Sequence, residues 1–456
     1  MIVYENYKKR RKVDCKMTKY GFCEVDITPQ LGCFIPGYFE RREVEDIMTP
    51  LYAKAIVADD GKKVTAICVI DAICVTDELC AKAVKGVLAR IPIDPAGVLI
   101  QATHIHTGGP VRPDTDADFE RGERYRAWVA DKICDSIVIA YNRRTEMTAV
   151  YNKEKVYGIS FVRNYVMKDG SIRTNPPFHS PEIVKRVTEA DPDMPYLFFT
   201  DKDGKARGIL VNFACHHDCV HGNATSSDYS GILAKELRKK FGEDFICVFM
   251  NGFCGNINNW DCIEAYDMPS VENHIEMGET LAKAVIDSLP DAKKMSDERV
   301  DFEKELMHIK RREINPEIIE RAKAYLNKDQ IKVDISDAQG ESYLIATAPA
   351  IIKMYGEDAP REFALYSQAI RLGDCVIYAV PGEMYSQYGE FLKKNAPTDK
   401  VFLAELSNAR APYIPIPELY NSENVYEAAP MACTLHEGGG MELCEKAIEL
   451  SKKIFQ

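Results

Sequence analysis

The chain has 456 residues, 46% of them hydrophobic and 28% charged, and carries a formal net charge of −12. This is the composition of an ordinary globular protein, and the acidic balance argues against a nucleic-acid partner, whose phosphates need a basic footprint. No apolar run approaches the roughly eighteen residues of a membrane-spanning helix.

The opening stretch, MIVYENYKKRRKVDCKM, is basic and lacks the apolar segment of a signal peptide, so residues 1–17 are expected to form a polar tail ahead of one domain covering 18–456. YAKAIVAD and KKVTAICVIDAICV then read as strands, the second nearly all apolar and therefore interior. Thr76 stands where a helix N-cap belongs, before the helical spacing of DELCAKAVKGVLARI. Val98-Leu99-Ile100 reads as a buried strand running into THIHTGGP. In an extended chain alternate side chains share a side, so His104 and His106 would point the same way and could share a metal ion.

Beyond this loop, ERGERYRAWVADKICDSIVIAYNRR has a helical period, and ARGILVNFAC and DFICVFMNGFCG read as strands around the helix GILAKELRKKFG. Helices near 271–289 and 315–327 flank the charged stretch DERVDFEKELMHIKRREINPE, which is expected to join a helical insertion at about 265–330 to the core. FALYSQAIRLGDCVIYAVPGE reads as two strands around a Gly-Asp turn, and ELCEKAIELSKKIF as a closing helix. The pattern implies an α/β fold, a mixed β-sheet core flanked by helices, with chemistry at strand ends. The fifteen cysteines, scattered through apolar runs, read as buried thiols of a reducing cytoplasm and not as a disulfide framework.

Three loops after predicted strands carry chemistry. NFACHHDCVHGNATSSDYSG holds His216, His217 and His221; VPGEMYSQYG holds Glu383; LSNARAPYIPIPELYNSENVYEAAP holds Tyr413, Tyr420 and Tyr426. Catalytic zinc takes imidazole and carboxylate ligands and keeps one position for water. His104, His216 and Glu383 would supply three ligands from separate strand ends. Plainer readings stand beside this one: loop histidines are more often simply hydrogen-bonded, Pro-Gly-Glu commonly caps a helix, and tyrosines in a Pro-rich loop usually pack. Cys215 and Cys219 form a C-x3-C with no second pair, a weak sign of a thiolate site.

Read together, GFCEVDITPQLG, GYFERR, PLYAKA, ATHIHTGGP, FVRNYVMKDG, the HHD loop with SSDYSG, NGFCGNINN, RLGDCVIYAVPGE and the Tyr loop resemble, in order from residue 20 to about 430, the catalytic domain of the neutral (alkaline) ceramidases. Those are zinc-dependent N-acylsphingosine amidohydrolases. The resemblance implies one zinc ion per chain held by His104, His216, Glu383 and Tyr413, with His106 as a further ligand or as proton carrier to the leaving amine. It implies that Arg163 and Tyr426 face the developing oxyanion and that Asp228 orients a ligating histidine. The reaction implied is hydrolysis of an amide C–N bond by a metal-activated water. Where the family carries Gly-Asp-x-Ser-Pro, this chain has Gly255-Asn256-Ile257-Asn258-Asn259, so no serine nucleophile stands there; His217 replaces a proline. With no signal sequence or interfacial anchor expected, and no room for a C-terminal β-sandwich, the substrate is expected to be a small acyl amide other than ceramide. Two alternatives remain: a non-catalytic, metal-binding descendant of the fold, or a zinc-dependent ester or phosphoester hydrolase.

Overall fold

The structure, a computed structural model, describes residues 17–113, 119–265, 268–329, 331–333 and 340–456. Apart from Met17, the expected tail lies outside the described residues.

The fold is α/β with mixed sheets, as the pattern of elements implies, and two sheets stack face to face. The larger runs Ile246–Asn251, Ala206–Phe213, Asp193–Asp201, Thr145–Lys155, Lys19–Asp26, Tyr52–Asp59, Val64–Ile70 and Val98–Ala102, with Lys293–Lys294 added beside Thr145–Lys155. The smaller runs Val300–Lys310, Glu362–Leu372, Cys375–Ala379 and Val401–Ala404. Parallel pairing joins Val64–Ile70 to Val98–Ala102, Ala206–Phe213 to Ile246–Asn251, and Cys375–Ala379 to Val401–Ala404; the other neighbours are antiparallel.

The period of two along each strand decides which layer a side chain enters. In Val64–Ile70, Ile67 and Val69 face the smaller sheet and share a core with Ile370, Ile377 and Phe402. Ala66, Cys68 and Ile70 face the other way, against Leu79, Ala83 and Val87 of the helix Asp77–Leu88 and Val129 and Ile133 of the helix Phe119–Arg143. The helices Asp228–Phe241 and Asn273–Ser288 cover the rest of that face, and Ser386–Asn395 and Gly439–Ile454 cover the smaller sheet. Four layers result, helices outside and two sheets within. A strand buried on both faces must be apolar at every position, which is why these runs do not alternate.

Thr76 caps its helix as expected, its hydroxyl accepting from the Leu79 backbone N–H at 3.2 Å. The charged stretch after residue 296 is not a linker. It forms the strand Val300–Lys310, paired along its whole length with Glu362–Leu372. Among the described residues one edge of this strand has no strand partner, so its charges sit where an edge strand tolerates them. Its register hides an apolar set: Val300, Phe302 and Ile309 are buried while Asp301, Glu303 and Lys310 are not. Every described cysteine is a buried thiol.

Candidate metal centre

Strand ends from both sheets converge at and beneath one cleft, which His104 and Glu383 line. The strands Val98–Ala102, Ala206–Phe213, Ile246–Asn251, Cys375–Ala379 and Val401–Ala404 lead respectively to His104, His216, Cys254, Glu383 and Glu405. This is the placement expected of ligands in open α/β sheets, outside the carboxyl ends of the strands.

His104 and His106 do meet, but not by strand alternation. The strand ends at Ala102, and His104 has φ of 74°, in the left-handed region. Such a conformation costs a non-glycine residue roughly 1–3 kcal/mol and tends to occur at functional sites. The turned backbone donates from the His104 N–H to the Ala72 carbonyl at 2.9 Å, and the His106 N–H donates to the His217 carbonyl at 3.1 Å. The Arg42 guanidinium donates to the His106 carbonyl at 2.7 Å. The two rings lie 4.9 Å apart, centroid to centroid, and His104 lies 4.6 Å from His216.

Two of these rings are fixed in the tautomer a metal needs. Nδ1 of His104 donates to the Ile73 carbonyl at 2.7 Å, and Nδ1 of His216 donates to the Cys254 carbonyl at 3.0 Å. With Nδ1 protonated and occupied, each presents a bare Nε2. Both Nε2 atoms face Glu383 Oε2, at 3.2 Å and 3.5 Å. The Tyr413 hydroxyl stands 3.4 Å from His216 Nε2. Glu383 and Tyr413 are brought side by side by a short parallel pairing, Glu383 opposite Tyr413 and Met384 opposite Ile414. Gly382, with φ of 85°, makes the turn, and a Cβ on Gly255 would come within 2.4 Å of the Glu383 carbonyl oxygen. Glycine is required at both.

The donor set fits a metal ion. His104 Nε2, both ring nitrogens of His106 and Glu383 Oε2 are buried without a hydrogen bond, and buried polar atoms are rarely left so. Ligand atoms of His104, His106 and His216 all lie within 4.8 Å of one another. Burial pushes His106 down to about 3, and burial together with Arg163 pushes His216 down to about 4, so both rings are neutral at pH 7, the form that binds metal. Burial also works against a charge on His104, but the Glu383 carboxylate outweighs it and holds His104 above its ordinary value.

Tyr426 lines the cleft beside Tyr413, ring centroids 5.7 Å apart, its hydroxyl pushed up to about 12 chiefly by burial. Arg163 does not line the cleft. It lies behind Tyr413, with Cζ 5.2 Å from that ring, Nη2 donating to the Gly255 carbonyl at 2.7 Å and Nε paired with Glu427. Among the described residues Asp228 hydrogen-bonds to no imidazole; its carboxylate accepts from the backbone N–H groups of Cys219, Val220 and Tyr229 and so shapes the loop after His217. The His217 ring stacks on Tyr229 at 3.9 Å, inside the core and outside the cluster. Burial raises the Cys215 and Cys219 thiols well above their ordinary value, which removes the thiolate reading. Asn258 donates to the Asn175 side chain at 2.8 Å, and Asn256 joins Gln387 and the Ser386 N–H; neither lines the cleft.

Two supporting carboxylates, Glu405 and Glu427, lie outside what the sequence reading brings forward. Glu405 is fully buried and accepts from the backbone N–H groups of Cys254, at 3.0 Å, and Met384, at 3.1 Å, tying the His216 support to the residue after Glu383. A lone carboxylate inside the apolar run VFLAELS is the signal that could have found it. Glu427 is likewise fully buried and accepts from Arg163, Asn164 and Thr174. Asp218 Oδ1 lies 3.8 Å from His106 Nδ1 and accepts from Tyr38.

The cleft holds about 300 Å³ and is closed on its outer side by Phe39 and by Tyr343, Thr347 and Ala350 of the helix Glu341–Tyr355. Compared with solved structures, the whole chain superposes on neutral ceramidase from Pseudomonas aeruginosa with a TM-score of 0.74, over 97% of this chain and 75% of that one, at 16% identity. The chain has the neutral-ceramidase fold. A ceramidase complexed with C2 matches with a TM-score of 0.72 over 96% of this chain and 75% of that one, at 15% identity. No family model and no curated protein matches the sequence. Among the described residues, no helix is long and apolar enough to cross a membrane.

Proposed function

We propose that this protein is a zinc-dependent amidohydrolase of the ceramidase kind, acting in the cytoplasm on a small acyl amide other than ceramide. The observation that carries this reading is the convergence of buried ligand atoms from His104, His216 and Glu383, with the Tyr413 hydroxyl, at and beneath the floor of the cleft, those of His104 and Glu383 without a hydrogen bond. These four would hold one zinc ion. When bound, zinc polarises a carbonyl and supplies a nucleophilic water at neutral pH.

The remaining steps belong to the chain's own side chains. Hydrolysis adds the water oxygen to the acyl carbon, breaks the C–N bond and returns a proton to nitrogen. Tyr426 lines the cleft, and its hydroxyl would donate to the oxygen on which negative charge develops, the type of interaction worth a few kcal/mol in such sites. Arg163 acts through Tyr413, behind which it lies, keeping positive potential on the same oxygen. His106, neutral and unbonded beside Asp218, carries the proton to the amine. The modest cleft volume, at the low end for small-molecule sites, favours a short substrate.

The test is elemental analysis of untagged protein purified without added zinc, followed by release of free amine from short N-acyl amides. About one zinc per chain with amine release supports the reading. Zinc without turnover of any amide or ester would leave the non-catalytic, metal-binding descendant. No metal, and none taken up on titration, overturns both.

A further inference from the structure

The metal cleft has an apolar annex. Met354, Phe363, Leu365 and Leu435 line a second cavity of about 160 Å³, and Ala411, Pro412 and Met431 line both this cavity and the cleft. Among its described lining residues only Arg410 and Thr434 are polar. Phe363 and Leu365 stand two residues apart on the strand Glu362–Leu372 and so share a face. Met354 comes from the outer-wall helix Glu341–Tyr355, and Leu365 and Leu435 belong to the core behind the smaller sheet. The partition between the two spaces is held in its backbone and adaptable in its side chain. The Met431 N–H donates to the Tyr343 hydroxyl at 3.3 Å, and the Tyr355 hydroxyl donates to the Pro430 carbonyl at 2.7 Å. The Met431 thioether, unbranched and with three rotatable bonds, reshapes easily around a neighbour.

Water is poorly held in such a space, because an ordered water needs several polar partners. An apolar cavity of about 150 Å³ takes a molecule the size of benzene, so the annex has room for about six carbons. It adjoins the Tyr413 side of the metal centre: Pro412 precedes Tyr413, whose N–H donates to the carbonyl of Ala432, next to Met431, at 2.8 Å. The groups packed against His106, Gly37 and Tyr38, are not among its described lining. With His106 passing the proton to the amine, the amine leaves on that side and the acyl portion faces the annex. We propose that the annex is a chain-length ruler: the protein selects straight-chain acyl amides whose chain passes Met431 and ends inside, with Met354 setting the limit. The direction of the chain rests on the amidohydrolase reading, but the limit itself is measurable without turnover.

The experiment is calorimetric titration of the zinc-loaded full chain with straight-chain hydroxamic acids from two to sixteen carbons, whose head group binds metal and whose chain stands on the acyl side. Affinity is expected to rise by about fourfold for each methylene that enters the annex and to stop rising once about six carbons fill it. Met354→Trp is expected to remove the gain of the longer chains while leaving acetohydroxamic acid within about twofold of the parent. Met354→Ala, which only empties space, is expected to move the limit outward by about two or three carbons. A limit that stays put in both variants overturns the proposal, as does affinity that never rises with length or rises without limit to sixteen carbons. Binding of no hydroxamic acid overturns the proposal and the metal centre together. N-alkyl acetamides, with the chain on the amine side, are titrated alongside, and a Met354-dependent limit in that series alone overturns the acyl assignment. Amine release from N-hexanoyl amides is assayed in parallel: its absence with the ruler intact counts against the amidohydrolase reading alone.

Discussion

The floor and the outer wall of the cleft are built on opposite principles. On the floor, the backbone holds three ligand-type residues: His104 through the Ile73 carbonyl, His216 through the Cys254 carbonyl, and Glu383 through the short parallel pairing with Tyr413. The outer wall, from Phe39 and the helix Glu341–Tyr355, meets Tyr426 through ring edges, Phe39 to Tyr343 at 5.9 Å and Tyr343 to Tyr426 at 6.3 Å. Directional hydrogen bonds fix angle and tautomer, which chemistry requires, whereas edge contacts between rings fix only volume. A floor of this kind keeps its geometry when the wall is changed, and a wall of this kind can change what it admits.

Breaking the floor should have the largest effect. Glu383→Gln removes the carboxylate that both bare Nε2 atoms face, and zinc content should fall from about one per chain toward none, as read by elemental analysis. Full retention of metal would remove Glu383 from the centre. Next comes the support behind Tyr413. Arg163 and Glu427 form a buried pair, side chains 8% and 0% exposed. Glu427→Gln leaves the guanidinium without its anion, and denaturant unfolding should show a loss of about 3–5 kcal/mol, the usual result of orphaning one buried charge. Loss of activity without loss of stability would mean that Arg163 relaxes to another partner.

The same division decides what could be read from sequence. His104, His216 and Glu383 stand beside turn signals at the ends of apolar runs, so strand periodicity and punctuation brought them forward, and the ordered set of motifs supplied Tyr413 and Tyr426. Two things were not legible. The left-handed turn at His104 depends on the Ala72 carbonyl, more than thirty residues earlier, so the pair of histidines was rightly joined on a wrong account of its backbone. The resemblance implies Arg163 at the reacting oxygen, whereas its depth behind Tyr413 depends on Glu427, over 260 residues away. The edge strand Val300–Lys310 misled for a different reason: a half-exposed strand rich in charge has the composition of a linker, and only its partner Glu362–Leu372 reveals the pairing. The outer-wall helix, mostly apolar and interrupted by Pro349, carried no amphipathic signature to announce it.

Glu405 offers a pH test of the floor in zinc-stripped protein. Burial raises its carboxyl from an ordinary 4.5 to about 8. A carboxyl with a raised folded-state pKa holds its proton better when folded, so its cost to stability is absent below pH 4.5 and grows as pH rises to about 8. The metal-free protein should therefore lose stability across that window, and Glu405→Gln should flatten the part of the slope that this group supplies. Thermal unfolding followed at the two ends of the window reads the difference. An unchanged slope in the variant would assign the pH dependence to other groups.

The smallest effect is expected at the loop where the ceramidase pattern and this chain part. Asn258 occupies the position of the family serine, but its side chain is turned to Asn175, and it does not line the cleft. Asn258→Ala removes one side-chain hydrogen bond, worth about 1 kcal/mol, and should shift the midpoint of unfolding slightly while leaving kcat/KM on any amide substrate within about a few-fold of the parent. Asn258→Ser, which restores the family residue, should change turnover no more than the alanine does. The reason is geometric: Asn256, which fixes this turn through the Ser386 N–H at 2.8 Å, would still hold the loop, and with it the hydroxyl of the new serine, on the side of Asn175. A large gain in rate from Asn258→Ser would mean that this loop swings toward the floor during reaction, and the division between a fixed floor and an adaptable wall would have to be redrawn to include it.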